Sequence, residues 1–151
     1  MIRVKDILKK NNLYKITYCE ETKTLYIEDN SDDNLTPHRS ATDCLFWLNE
    51  DNAMSEIECI FPVKRENNLF SCNPNIKTVS GIPVLEITRS QKLTEIYWDD
   101  TTLAIVFESE KKPDKIIKST NLLYYLNHEE IIGIVCKDFK IVTPGDGFVV
   151  S

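Results

Sequence analysis

"CLFWLNEDNAMSEI", Cys44–Ile57, and "LLYYLNHEEIIGIV", Leu122–Val135, lie 78 residues apart in one chain of 151. Each sets an apolar, aromatic run before Leu-Asn, then acids, then apolar residues again. Each predicts a pair of strands around a polar turn. Working outward, "TEIYWDDTTLAIVFE" matches "YKITYCEETKTLYIE": Tyr97 pairs with Tyr18, Asp99 and Asp100 with Glu20 and Glu21, and Leu103 with Leu25. From there the offset holds at 78, with Leu123 against Leu45, Tyr125 against Trp47 and Asn127 against Asn49. The slip between the two stretches is one residue, in the first hairpin turn. The matching order and spacing predict an internal repeat, 13–61 and 92–139, joined by a connector over 62–91 within a single domain 1–151. A unit of about 45 residues buries too little apolar area to fold alone, so the two units are expected to share one core.

Around these hairpins, Val4, Ile7 and Leu8 have helical spacing, and Asn11-Asn12 reads as a stop, which predicts a short N-terminal helix. "DNSDDNLTPH", from Asp29, reads as a polar loop. In the Asn-rich connector one short strand is expected near Leu69–Ser71 and a turn at Ser80-Gly81, followed by a strand in "PVLEIT". "TPGDGFVVS" ends the chain as a turn and a last strand. The fold class expected is mostly β (α+β): two repeated antiparallel β-units sharing one core, with a short N-terminal helix.

The repeat unit resembles a family of small bacterial domains of unknown function. These are built on Y-D-x-x-x-D-x-L-Y-I, a variable middle, and a V-x-x-D-x-D-x-x-G-x-x-V-G-I-E-I hairpin. The matching text is "IYWDDTTLAIVF" with "LLYYLNHEEIIGIVCKDF", within 96–139, and less well 16–61. Gly133 fits the pattern, whereas the first copy has Ser55 or Glu56 there. The family has no established activity, so the resemblance implies fold only.

Composition bounds the function. No apolar run spans a membrane, and "MIRVKDILKKNN" lacks the apolar stretch of a secretory signal, which gives a cytoplasmic expectation. The cysteines are Cys19, Cys44, Cys59, Cys72 and Cys136, odd in number and with no C-x-x-C pair, so reduced thiols are expected in place of a zinc site or disulfide framework. Four glycines, Gly81, Gly133, Gly145 and Gly147, form no phosphate-cradling loop. His38 and His128 read as surface histidines without a positioned partner. "DNSDDN" at 29–34 hints at a calcium loop, but Asn34 and Ser40 stand where such a loop needs Gly and Glu. No catalytic, cofactor or metal residue is predicted.

The net charge of −6 is uneven: residues 20–58 hold eleven acids and two bases. Such a field repels nucleic acid and attracts basic proteins. In "SEIECIF", Ile57, Cys59 and Phe61 alternate with Glu56, Glu58 and Ile60, so one strand face is apolar and the other acidic. The candidate partner-binding residues are Glu20, Glu21, Glu28, Asp29, Asp32, Asp33, Glu50, Asp51, Glu56 and Glu58, with Phe46 or Trp47 as the aromatic anchor. The function expected is a small acidic cytoplasmic binding protein, most concretely an immunity protein or antitoxin neutralising a basic bacterial toxin such as a nuclease. The alternatives are a regulatory or housekeeping bacterial domain without a toxin partner, and an enzyme of unrecognised family.

Overall fold

The computed structural model of the chain describes residues 1–29, 34–66 and 75–143. Every regular element among them is a β-strand. The first half holds β1 (Ile2–Leu8), β2 (Lys15–Cys19), β3 (Thr24–Glu28), β4 (Thr36–Ala41), β5 (Cys44–Leu48), β6 (Met54–Ile60) and β7 (Val63–Lys64). Then come β8 (Lys77–Ser80), β9 (Ile82–Ile87), β10 (Glu95–Trp98), β11 (Leu103–Val106) and β12 (Lys115–Ser119). The second half ends with β13 (Leu122–Asn127), β14 (Glu130–Cys136) and β15 (Phe139–Val142). Alternation explains most of them: in β3, Leu25 and Ile27 are buried while Tyr26 and Glu28 are exposed.

The expected N-terminal helix is a strand, and the fold is all-β among the described residues. Ile2 and Val4 are buried and Arg3 is exposed, which is a period of two. β1 pairs antiparallel with β9, and the register shifts between Val4 and Asp6. Lys5 is thus the extra residue of a β-bulge, and the bulge delays the next inward residues to Ile7 and Leu8. A helical spacing was produced by a kinked strand.

Two sheets form. One is ordered β15-β2-β3-β6-β5-β4; the other runs β7-β10-β11-β14-β13-β12-β8, with β1 and β9 attached through β14. The antiparallel order β2-β3-β6-β5-β4 of the first recurs as β10-β11-β14-β13-β12 in the second. The strand that ends each half then crosses to the other sheet. β7 lies parallel to β10, and β15 lies parallel to β2. Tyr18 sits opposite Leu25, and Trp98, not Tyr97, sits opposite Leu103. The slip in that hairpin is therefore two residues, not one. Only an even slip keeps each side chain on its own face of the sheet.

The connector 62–91 carries β7, β8 and β9, and β8 lies parallel to β12. The strand expected near Leu69–Ser71 and the expected tail strand fall outside the described residues. At Gly81, with φ +147°, a Cβ would meet Ile7 Cγ2 at 2.4 Å and the Leu8 carbonyl oxygen at 2.5 Å, so only glycine lets β1 end there. The polar loop after Asp29 is shorter than expected, because Thr36, Pro37 and His38 already belong to β4.

The core lies between the sheets. Ile16, Leu25, Ile27, Phe46 and Ile57 on one side join Ile96, Leu103, Ile105, Tyr124 and Ile134 on the other. The rings of Tyr18 and Trp98 stand 4.8 Å apart and those of Phe46 and Phe107 5.8 Å apart. A second buried cluster, Ala104, Ile116, Tyr125, Ile132 and Val135, occupies the other face of the second sheet. That sheet is apolar on both faces, which is why "EIIGIVC" reads as a continuous apolar run.

Matched polar clamps join the halves. Asp43, just before β5, accepts hydrogen bonds from the Thr94 backbone N–H and hydroxyl, just before β10. Asn121, just before β13, accepts from the Tyr14 N–H at 3.0 Å and donates to the Tyr14 carbonyl at 2.7 Å, just before β2. The twin asparagines of the opening stretches serve their turns differently. Asn49 Oδ1 accepts from the N–H groups of Asp51 and Ala53, whereas Asn127 donates to the Lys112 carbonyl.

Candidate protein-binding face

The outer face of the first sheet is built from the residues its alternation leaves over once the core is filled. Cross-strand register arranges them in two rows. One row runs Lys15, Glu28, Glu56, Trp47, Pro37, and the next runs Thr17, Tyr26, Glu58, Leu45, Arg39. Glu28 and Glu56 stand directly opposite on adjacent strands, and Glu58 stands opposite Tyr26. Trp47 lies between Glu56 and Pro37 and is half-buried. Tyr26 is 38% exposed. Three carboxylates and two aromatic rings thus share one rigid surface.

Lys15 stands opposite Glu28, yet no ion pair forms on the three carboxylates among the described residues. Among the described residues the ion pairs are Arg65–Glu95, Lys92–Glu108, Lys111–Glu130 and Lys115–Glu129, none of which involves Glu28, Glu56 or Glu58. The Glu56 carboxyl is held above its ordinary range, first by burial and then by the charges of Glu28, Asp29 and Glu58. The Tyr26 phenol is also raised, by burial first and then by Glu58, Cys19 and Glu28.

The structure separates the sequence candidates. Phe46 is fully buried in the core, because β5 turns Cys44, Phe46 and Leu48 inward and Leu45 and Trp47 outward. Of the two possible anchors, only Trp47 is on the outer face. Glu50 and Asp51 are exposed in the β5–β6 turn, at the same end of the face as Glu28 and Glu56. Asp29 lies at that end too, but it accepts hydrogen bonds from Ser55 at 2.8 Å and Asn12 at 3.2 Å, which makes it a tie between segments. Glu20 and Glu21 are exposed in the β2–β3 turn at the opposite end. Asp32 and Asp33, and most of the 29–34 stretch, lie outside the described residues. Among those described, no group of three or more His, Cys, Asp or Glu could hold a metal ion.

Two exposed aromatics escaped the sequence reading. Tyr26 carried a signal, since it alternates with the buried Leu25 and Ile27. Phe61 was placed on the apolar face with Ile57 and Cys59, yet it is 66% exposed. The chain turns there, with Phe61 at φ +53°, so alternation stops at Ile60. His38, expected at the surface, is half-buried in β4 opposite Phe46, and His128 is exposed in its turn.

No helix of the described chain is long and apolar enough to cross a membrane. No protein-family model matches the chain, and no curated protein matches its sequence.

Proposed function

We propose that the outer face of β3, β5 and β6 binds a basic protein, and that the chain is a non-catalytic cytoplasmic inhibitor of the immunity-protein or antitoxin kind. The observation that carries this reading is the trio Glu28, Glu56 and Glu58, without an ion pair among the described residues, beside Trp47 and Tyr26. Like charges facing each other across strands cost stability in the isolated chain. A ligand that brings lysine or arginine to them recovers that cost and adds charge-assisted hydrogen bonds. The two rings supply the rigid apolar contact that interface energetics favour. The step from basic partner to toxin rests on class analogy: inhibitors of basic nucleases are commonly small and acidic.

The experiment is affinity capture with the tagged chain, run beside a Glu56→Lys/Glu58→Lys variant. The reading expects a basic protein held by the first and lost by the second, whose enzymatic activity falls when the chain is added. A partner that is acidic, or is held equally by both chains, contradicts it.

A further inference from the structure

Cys44 and Cys59 stand directly opposite on β5 and β6, with their sulfurs 3.3 Å apart. Both are free thiols and both are buried. Their strands lie inside the first sheet, flanked by β4 and β3. One residue outside each cysteine, the Ile60 N–H donates to the Asp43 carbonyl at 2.8 Å. That bond makes Cys44 and Cys59 a non-hydrogen-bonded antiparallel pair, the kind whose side chains come closest and whose Cα atoms approach to about 4.5 Å. A disulfide accepts Cα separations of roughly 4.4–6.8 Å, so the backbone is already within its range. The sulfurs need only close to about 2.05 Å.

The second half shows that packing does not require two thiols here. Its counterpart pair, on β13 and β14, is Leu122 opposite Cys136. Cys59 and Cys136 are twins, since each also faces a leucine on its other side, Leu25 and Leu103. At the place of Cys44, however, the same fold accepts a leucine. A thiol there, in the half where it meets another thiol, points to the bond that the two can form.

We infer that Cys44 and Cys59 are a disulfide site, oxidised by a small-molecule disulfide such as oxidised glutathione, and that the bond latches β5 to β6. When the chain unfolds and exposes the pair, one thiolate attacks the small disulfide and releases one small thiol. The second thiolate then attacks the cysteine sulfur of the mixed disulfide and releases the other. Two electrons pass from the cysteine pair to the oxidant, and the two cysteine protons end on the two released thiols. In a reducing compartment the pair rests as thiols until oxidant accumulates. The two residues are 15 positions apart. Closing that loop restricts the unfolded chain while the folded register already satisfies it, so the bond favours the folded state. Leu45, Trp47, Glu56 and Glu58 alternate to the other face, and the inference does not depend on what that face binds.

The test brings the purified wild-type chain to equilibrium with oxidised and reduced glutathione. One sample is in dilute urea, where it is folded but exchanges with the unfolded state, and one is in high urea. Free thiols are then alkylated and the disulfides mapped by peptide mass spectrometry. The folded chain carries a Cys44–Cys59 bond, with an equilibrium constant about a hundredfold greater than in the unfolded chain. The oxidised chain melts several degrees higher than the reduced one. A folded chain in which both cysteines stay reduced, a bond from either of them to Cys136, or an equilibrium constant no greater than in high urea overturns the inference.

Discussion

Glu56 is held in the folded chain where partial burial and neighbouring acids both disfavour its charge. Its carboxyl therefore binds a proton more tightly folded than unfolded. Stability falls as pH rises through that interval, and the loss is complete above it. Glu56→Gln is expected to be more stable than the wild type at neutral pH, by about half a kcal/mol. The gain should shrink once pH falls below the ordinary glutamate range of about 4. Urea unfolding at the two pH values checks this; equal stability at neutral pH would mean that the carboxylate is relieved by solvent. Residues of this kind mark a surface kept for something other than folding. Asn121 is the opposite case. It is buried, and it satisfies both backbone groups of Tyr14 from 107 positions away. Asn121→Ala leaves those groups without a partner and is expected to cost about 1–3 kcal/mol in the same urea assay.

At the level of elements, β5 and β6 illustrate how register decides chemistry. Cys44 and Cys59 face one another on these strands with their sulfurs 3.3 Å apart, both buried. Burial raises the Cys136 thiol, and the Cys44 hydrogen bond together with burial raises that of Cys59. Thiols so placed are poor nucleophiles. In a Cys19→Ser/Cys72→Ser variant, which keeps only Cys44, Cys59 and Cys136, a thiol reagent is expected to react no faster than the chain unfolds. Rapid labelling of any of the three would show that a strand opens locally. The hairpins were legible in the sequence because one face of each strand is apolar and the other is not, as in "TLYIE". Where both faces are apolar the pattern is silent, so Phe46 and Trp47 could not be told apart until β6 fixed the register. The β1 bulge at Lys5 imitated a helix. The turn at Phe61 ended an alternation that the residue types alone continued. The parallel pairings of β7 with β10 and β15 with β2 join segments too far apart for any local pattern to announce. Pro37, which has no N–H to give, lies in β4 at the edge of the first sheet and blunts that edge against strand addition, while the edge at β12 is covered by β8.

Over the whole molecule, two halves of one design have been given different surfaces. Each sheet is completed by a strand from the other half, and each half clamps the other's first antiparallel strand through a side chain. The second sheet buries both faces, and the ion pairs of the described chain involve acids between Glu95 and Glu130. Where the second half has Gly133 and Val135, opposite Val106 and Ala104, the first has Glu56 and Glu58, opposite Glu28 and Tyr26. Of the acids legible in the sequence, Glu28, Glu56 and Glu58 are thus displayed on one face of one sheet. Its position beside Trp47 needed the register, and the partner it serves is the reading proposed above. The measurement that bears on it most directly is the dissociation rate of the captured basic partner, for the wild type and for Glu56→Lys/Glu58→Lys, at low and at high salt. If the face is the interface, the variant dissociates at least about a hundredfold faster at both salt concentrations, because contacts within an interface govern the off-rate while distant charges govern encounter. Dissociation at the wild-type rate would contradict it.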